Sequence, residues 1–383
     1  MRVLHVVPSY LPAVRYGGTA IATHGLCRAL VRAGHPVDVF TTVVDGREDI
    51  PLATGVRQER DGVGVHYFPV PALRRWYYSP ALARSVRERV RDYDLVHVHA
   101  LFLHPVSAAA SAAFGAGVPY VISPRGMLEQ ALFRRRSALL KHGWLALLGR
   151  RALQRARAVH VTSPREAREV SRFGLRLDAV LEVPNGVERV VDDAGRREPG
   201  LLLFLGRLSW KKRVDRLLHA LAAVPDARLV VAGPDDEQRV PGLAALARRC
   251  QVADRVQFVG AVDGAHKDEL LARAAVFVLP SESENFANAA LEAMAAGCPV
   301  VLSRHVGLAD AVLEGGAGLV CDDDTGSLAV CLRQMLQSPQ AASRMGEAAQ
   351  QVVRERYLWD TVARDMTSAY HSVLDREIRA GAC

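Results

Sequence analysis

Short apolar runs alternate with longer amphipathic stretches along almost the whole chain. In the first half the runs are Val3–Val7, Val37–Thr41, Val63–Val70, Leu95–His99, Tyr120–Ser123, Val159–Thr162 and Val180–Val183. Runs of this length predict strands, and nearly continuous apolar character predicts burial on both faces. Between most of them lie helical patterns such as Ala20–Arg32 and Pro80–Arg91. Strands alternating with helices of this length predict right-handed βαβ units and a parallel sheet. A polar interval with charge, Gly and Pro, Val187–Gly200, breaks the pattern and reads as an interdomain linker.

The alternation then restarts. Further strands are expected at Leu201–Leu205, Arg228–Ala232, Val256–Val259, Val276–Leu279, Val300–Ser303 and Gly318–Cys321, with helices closing the chain from Leu328 to Arg379. The expected fold class is therefore α/β, with two Rossmann-like doubly wound parallel-sheet domains facing a central cleft. The expected domains are 1–190, 191–358 and a C-terminal helix over 359–383 returning toward the first. Ligands in such folds bind at the carboxyl ends of the strands.

Length agrees with two domains, since 383 residues exceed one ordinary hydrophobic core. Six cysteines lack any zinc-ribbon or thioredoxin spacing and read as reduced thiols of a cytoplasmic protein. The opening MRVLHVVPSYLP is too short an apolar run for a signal peptide, and Pro8 interrupts it. The longest tempting span, Leu103–Phe114, contains His104 and Pro105, so no membrane-crossing helix is expected.

Charge changes the picture more. Residues 1–190 carry 27 Lys and Arg against 15 Asp and Glu, whereas residues 191–383 carry 22 against 26. A basic half joined to an acidic half suggests an anionic partner for the former, above all around Arg134, Arg135, Arg136, Lys141, Arg150 and Arg151. Mere solubility is the plainer alternative.

Four stretches hold candidate chemistry. In PSESENFANAALEAMAAGCPVV, Pro280–Val301, a strand runs into a polar turn and a helix, with Glu284 in the loop and Glu292 about one turn into the helix. First-turn amides around Phe286–Ala289 favour a diphosphate, while the two carboxylates can accept from sugar and ribose hydroxyls. A capping acid plus a solvated helix acid is the other reading. In GRLSWKKRVDRLLHAL, Arg207 follows a strand and Lys212 opens a helix. Two cations there could hold a leaving diphosphate; a basic helix start alone would oppose the helix dipole. Tyr16-Gly17-Gly18-Thr19 is a turn in which a ligand can approach backbone closely. In DLVHVHALF, His97 and His99 share one strand face. His97 reads as structural and His99 as the one able to reach the cleft. With no third ligand expected nearby, the pair makes a poor metal site. Asp322–Asp324 and Asp235–Asp236 read as helix-start acids rather than cation ligands.

Together these residues resemble the group 1 (family 4) retaining glycosyltransferases of GT-B fold, over nearly the whole chain. Glu284 and Glu292 match that family's Glu-x7-Glu block; GRLSWKKRVDRLL, VPNGV, LVVAGP and VQFVGAV follow the expected pattern. YGGTA, HVHALF, SPRGML and HVTSP are similar to bacterial members that build surface or exported polysaccharides. The resemblance implies a metal-independent enzyme without a cofactor, using a UDP- or GDP-sugar donor. It implies that Arg207 and Lys212 bind the donor diphosphate, Glu292 the ribose and Glu284 the donor sugar. Gly17 and Gly18 would close on the phosphates, and His99 would lie near the reacting carbon. Val262, with Lys267 nearby, would hold the base, and Asn285, Phe286, Ala287 and Asn288 would complete the donor contacts. Ala287 and Arg213 stand where the family usually has glycine, so the loop dihedral at Ala287 is expected to differ.

The first domain is expected to take the acceptor, a saccharide or polyprenyl-diphosphate-saccharide, with peripheral contact at an anionic membrane face through Trp76, Tyr77, Tyr78 and Trp144. Rival readings are a GT-B sugar-nucleotide epimerase or phosphorylase-like enzyme. A nucleic-acid partner is not expected, because no finger, RNP or helix-turn-helix pattern accompanies the basic pI.

Overall fold

The computed structural model describes residues 1–13, 15, 18–130, 143–145, 149–191 and 197–381. Gly17, Arg134–Arg136 and Lys141 lie outside the described residues. The chain divides into two compact units, Met1–Gly186 with Trp359–Cys383, and Val187–Leu358.

The first unit carries β1 (Val3–Ser9), β2 (Val37–Thr42), β3 (Val44–Asp45), β4 (Glu48–Asp49), β5 (Arg57–Arg60), β6 (Val63–Phe68), β7 (Leu95–His99), β8 (Tyr120–Ser123), β9 (Ala158–Val161) and β10 (Val180–Glu182). Its eight-stranded sheet runs β10-β9-β8-β7-β1-β2-β6-β5. All pairs in it are parallel except β5, which lies antiparallel to β6 at the edge. Every residue of β1, β2, β6 and β7 is buried, which is why these strands read as apolar runs. The sheet's two faces carry separate cores. One of these includes Trp359, Val362, Met366 and Tyr370 from the last helix, Trp359–Gly381. Trp359 lies so close over Gly25 that a Cβ there would fall 2.3 Å from the indole. That bare Cα lets the last helix seat on the first.

The second unit carries β11 (Glu198–Leu205), β12 (Arg228–Ala232), β13 (Val256–Gly260), β14 (Ala274–Leu279), β15 (Val300–Ser303) and β16 (Gly318–Cys321). Its parallel sheet runs β13-β12-β11-β14-β15-β16, the doubly wound order with its switch point between β11 and β14. In the first unit the corresponding reversal lies between β1 and β7. Both switch points coincide with motifs singled out above.

Arg197 braces the second unit. Its guanidinium donates to the carbonyls of Leu271, Ala272, Ala274 and Ala296, tying the helix ends before β14 and β15 to the start of β11. Arg197→Ala is expected to destabilise this unit by about 2–4 kcal/mol, since charge-assisted bonds to partly buried carbonyls are lost together. Urea unfolding followed by a second-unit probe such as Trp210 fluorescence checks this.

Candidate functional site

At the second unit's switch point, two glycine turns stack. Gly206 N donates to Ala232 O at 2.9 Å and Gly233 N to Gly260 O at 2.6 Å. Gly233 has φ +142°, and a Cβ on it would lie 2.0 Å from Gly206 O, so only glycine fits. The chain then passes Arg207, makes a short turn over Trp210–Lys212 and enters the helix Val214–Ala222. Lys212 thus closes the turn before the helix rather than opening the helix. The loop after β14 is sewn onto this turn. Glu282 N donates to Lys211 O at 2.7 Å, and Glu284 exchanges backbone bonds with His305 and Gly307 after β15.

These ties bring Lys212 Nζ onto a carboxylate oxygen of Glu284 in a short ion pair whose side chains are only 13% and 18% exposed. Burial pushes the Glu284 carboxyl up, but Lys212, Lys211 and the hydrogen bond from Lys212 together hold it below its ordinary value. Lys267 Nζ lies 3.0 Å from Glu292. Val262 is half-buried just before the helix Gly264–Arg273 that carries Lys267. Arg207 is more exposed, 3.6 Å from Asp236. The structure therefore gathers Lys212 with Glu284, and Glu292 with Lys267, along one sheet edge.

Ala287 and Arg213 correct an expectation. Ala287 sits at φ 82° and Arg213 at φ 52°, so both hold the left-handed conformation that glycine favours. The turn is kept and the side chain bears the strain. Ala287 stands at the N-cap of the helix Asn288–Ala295 and has no side chain to cap it, and Phe286 is buried beside it against Tyr357. Asn285 lies in the preceding loop. The acidic runs diverge. Asp235 caps the helix that begins only at Val240, so the Asp pair does not itself begin it. Asp322, Asp323 and Asp324 serve Arg304, Arg216 with His305, and the Ser327 amide respectively.

In the first unit, Gly18 begins the helix Gly18–Arg32 after β1. At the β1–β7 switch point lies a buried polar cluster that sequence reasoning largely missed. His5 pairs in register with His97, and its Nδ1 lies 2.9 Å from His99 Nε2. A third imidazole is thus adjacent, contrary to the expectation from the His97–His99 spacing. His5, His97 and His99 each offer a nitrogen within 4.8 Å of the others. Those nitrogens, however, are largely spent on hydrogen bonds. Arg125 can only donate, so His99 Nδ1 accepts from it at 3.3 Å, and His99 Nε2–H donates to His5 Nδ1. Val183 O can only accept, so His160 donates to it through Nε2 at 2.8 Å and accepts through Nδ1 from His97 at 3.3 Å. Tyr370 then donates to His97 Nδ1 at 2.6 Å, in keeping with the structural reading of His97.

Burial, with Arg125 next, lowers His5 and His160 to about 3 and holds His99 well below its usual range. His97 is held down by burial and then by His99. The imidazoles are neutral at physiological pH, and the Arg125 guanidinium beside His99 opposes a bound cation. His99 is fully buried with both ring nitrogens engaged, so it presents no free nitrogen at the surface of its unit. Sequence inspection passed over Arg125, Asn185, Glu166, His5 and His160. The readable signal was a single polar residue inside an otherwise apolar strand, as in VLHVV and AVHV.

The expected membrane aromatics pack on their own unit. Trp144 lies edge-on to Phe102 at 4.8 Å, Tyr78 meets His104 at 4.7 Å, Tyr77 accepts from Ser9, and Trp76 is half-buried. Among the described residues no helix is long and apolar enough to cross a membrane.

The family model for group 1 glycosyl transferases matches residues 192–352, and that for a glycosyl transferase 4-like domain matches residues 17–186. The chain is 30% identical to a glycogen synthase of Mycobacterium tuberculosis, over 97% of this chain and 94% of that one. It is 30% identical to a D-inositol 3-phosphate glycosyltransferase of Acidothermus cellulolyticus, over 98% and 90%. Among solved structures, sucrose-phosphate synthase of Thermosynechococcus elongatus superposes with TM-score 0.77 at 22% identity, covering 98% of this chain and 99% of that one. Anabaena HepE, in complex with UDP and glucose, superposes with TM-score 0.75 at 19% identity, covering 97% and 100%.

Proposed function

From a chain that belongs to the group 1 glycosyltransferases and has the GT-B fold, we propose a retaining, metal-independent transferase. It moves a hexose from a UDP- or GDP-sugar to a hydroxyl of a saccharide or lipid-linked saccharide in surface or exported polysaccharide synthesis. The observation that carries this reading is the enclosed Lys212–Glu284 pair at the β11–β14 switch point.

Departure of a nucleoside diphosphate builds negative charge on phosphate and positive charge on the anomeric carbon. Lys212, Arg207 and the helix-start amides are preorganised donors for the former. Glu284 accepts sugar hydroxyls once Lys212 turns toward phosphate, and Glu292 accepts ribose hydroxyls. The acceptor attacks the face from which the leaving group departs, and a leaving phosphate oxygen takes its proton. That stereochemistry rests on family resemblance. Uracil is the favoured base by analogy with HepE, whose solved complexes hold UDP. Peripheral membrane contact rests on the basic first half, of which Arg150 and Arg151 are exposed on a short helix.

Thermal-shift titration with UDP-, GDP- and ADP-sugars tests the reading. A saturable rise of about 3 °C or more with one nucleotide is expected. No rise with any of them would sink it.

A further inference from the structure

We propose that Arg125 is an anion-binding residue of the first unit, set to receive a phosphate or carboxylate carried by the acceptor. The inference rests on the transferase reading only in assigning the anion to the acceptor.

Arg125 follows β8 by two residues and so stands at the carboxyl edge of its sheet, close to the β1–β7 switch point. Its NH1 donates to Asn185 Oδ1 at 2.7 Å and its NH2 to His99 Nδ1 at 3.3 Å. The buried Nε–H has no partner. Both recognised partners are neutral. They aim the guanidinium without cancelling its charge. Among the described residues no carboxylate lies within ion-pairing distance of it. Glu166 is the acid that most affects it, but its oxygens are taken by Gly126 N at 2.7 Å, Thr162 N at 2.8 Å and Thr162 Oγ1 at 3.0 Å.

An enclosed cation without a counter-ion is costly, and proteins retain one where a ligand supplies the charge. The structural arginines of this same chain look different. Arg197 and Arg255 each donate to four backbone carbonyls, and Arg125 donates to none. The backbone at Arg125 is also held left-handed, at φ 54°, by the neighbouring Gly126–Glu166 bond, so the side chain is aimed at a conformational cost. The residue as a whole keeps partial exposure, and the donor that Asn185 and His99 leave unused, Nε–H, is the one an oxyanion would take.

The test is isothermal titration of the full chain with inorganic phosphate, with glucuronate and, separately, with UDP. Asn185→Asp supplies an internal counter-ion without removing the arginine, and Arg125→Gln removes the charge. The wild type is expected to bind phosphate or glucuronate, the tighter of the two identifying the oxyanion. Both variants should weaken that binding by about tenfold or more, with UDP affinity unchanged. Asn185→Asp should melt no lower than wild type, which separates lost binding from lost folding. Equal anion affinity in wild type and Asn185→Asp would overturn the proposal, as would absence of binding by the wild type. A parallel loss of UDP affinity would assign the arginine to the donor and overturn the acceptor assignment. Failure of the wild type to bind any nucleotide would count against the transferase reading alone.

Discussion

Lys212→Ala is expected to lower kcat/KM by about a hundredfold or more, the usual effect of deleting one preorganised donor to developing negative charge. The ammonium is largely enclosed and points at the Glu284 carboxylate. Lys212→Arg should recover part of the loss, since charge is kept but the donor geometry changes. Lys212→Ala also exposes a linkage effect. Glu284 now sits below its ordinary value in the folded protein, because Lys212 and Lys211 outweigh burial. A depressed folded-state value means stability that is full above the unfolded value of about 4.5 and is lost as pH falls through the folded one. Without Lys212, burial prevails and the carboxyl rises. The variant should then lose stability at neutral pH and be least penalised in acid. Initial rates and melting temperatures from pH 4 to 8 check both parts. Wild-type turnover in Lys212→Ala would remove the basis of the proposed chemistry.

The fold was legible because buried parallel strands write themselves as unbroken apolar runs. Leu95–His99, Tyr120–Ser123, Arg228–Ala232, Val300–Ser303 and Gly318–Cys321 have the same limits in sequence and structure. The strands overlooked are short or polar: Val44–Asp45 and Glu48–Asp49 have two residues each, and Arg57–Arg60 is a polar edge strand that buries little, so periodicity had nothing to report. The second-unit site was legible for a different reason: its charges sit in two short contiguous motifs. The first-unit cluster was not, because its members are scattered over β1, β7 and β9 and the loops after β8 and β10. His5 and His99 are 94 residues apart, and Arg125 and Asn185 are 60 apart. Only sheet order brings them together. Ala287 shows the opposite failure. Residue type alone suggested a changed dihedral, yet the ties of Glu284 to His305 and Gly307 sit beside a turn that keeps its positive φ.

Gly233→Ala is expected to cost about 3 kcal/mol or more of second-unit stability and to lower turnover by at least about tenfold. The added Cβ would meet Gly206 O at 2.0 Å and Gly206 C at 2.5 Å, and φ +142° is itself closed to alanine. Relief by local movement is blocked on three sides. Gly206 N is bonded to Ala232 O, Leu208 N to Pro234 O and Gly233 N to Gly260 O. What must move is the Gly206–Arg207 turn, and with it the approach to Lys212, whose Nζ lies 3.6 Å from where a Gly206 Cβ would be. A shift of about 1 Å in such a cradle is enough to cost rate as well as stability. Gly242→Ala supplies the matched control. Nothing lies within 4 Å of its added methyl, and it sits in the helix Val240–Arg249. Alanine there should stabilise by about 0.5–1 kcal/mol and leave transfer unchanged. Circular-dichroism melts and donor-saturated initial rates on the two variants separate a steric wedge at the site from a general intolerance of alanine. Equal behaviour of the two would mean that the stacked glycine turns do not set the position of the cations.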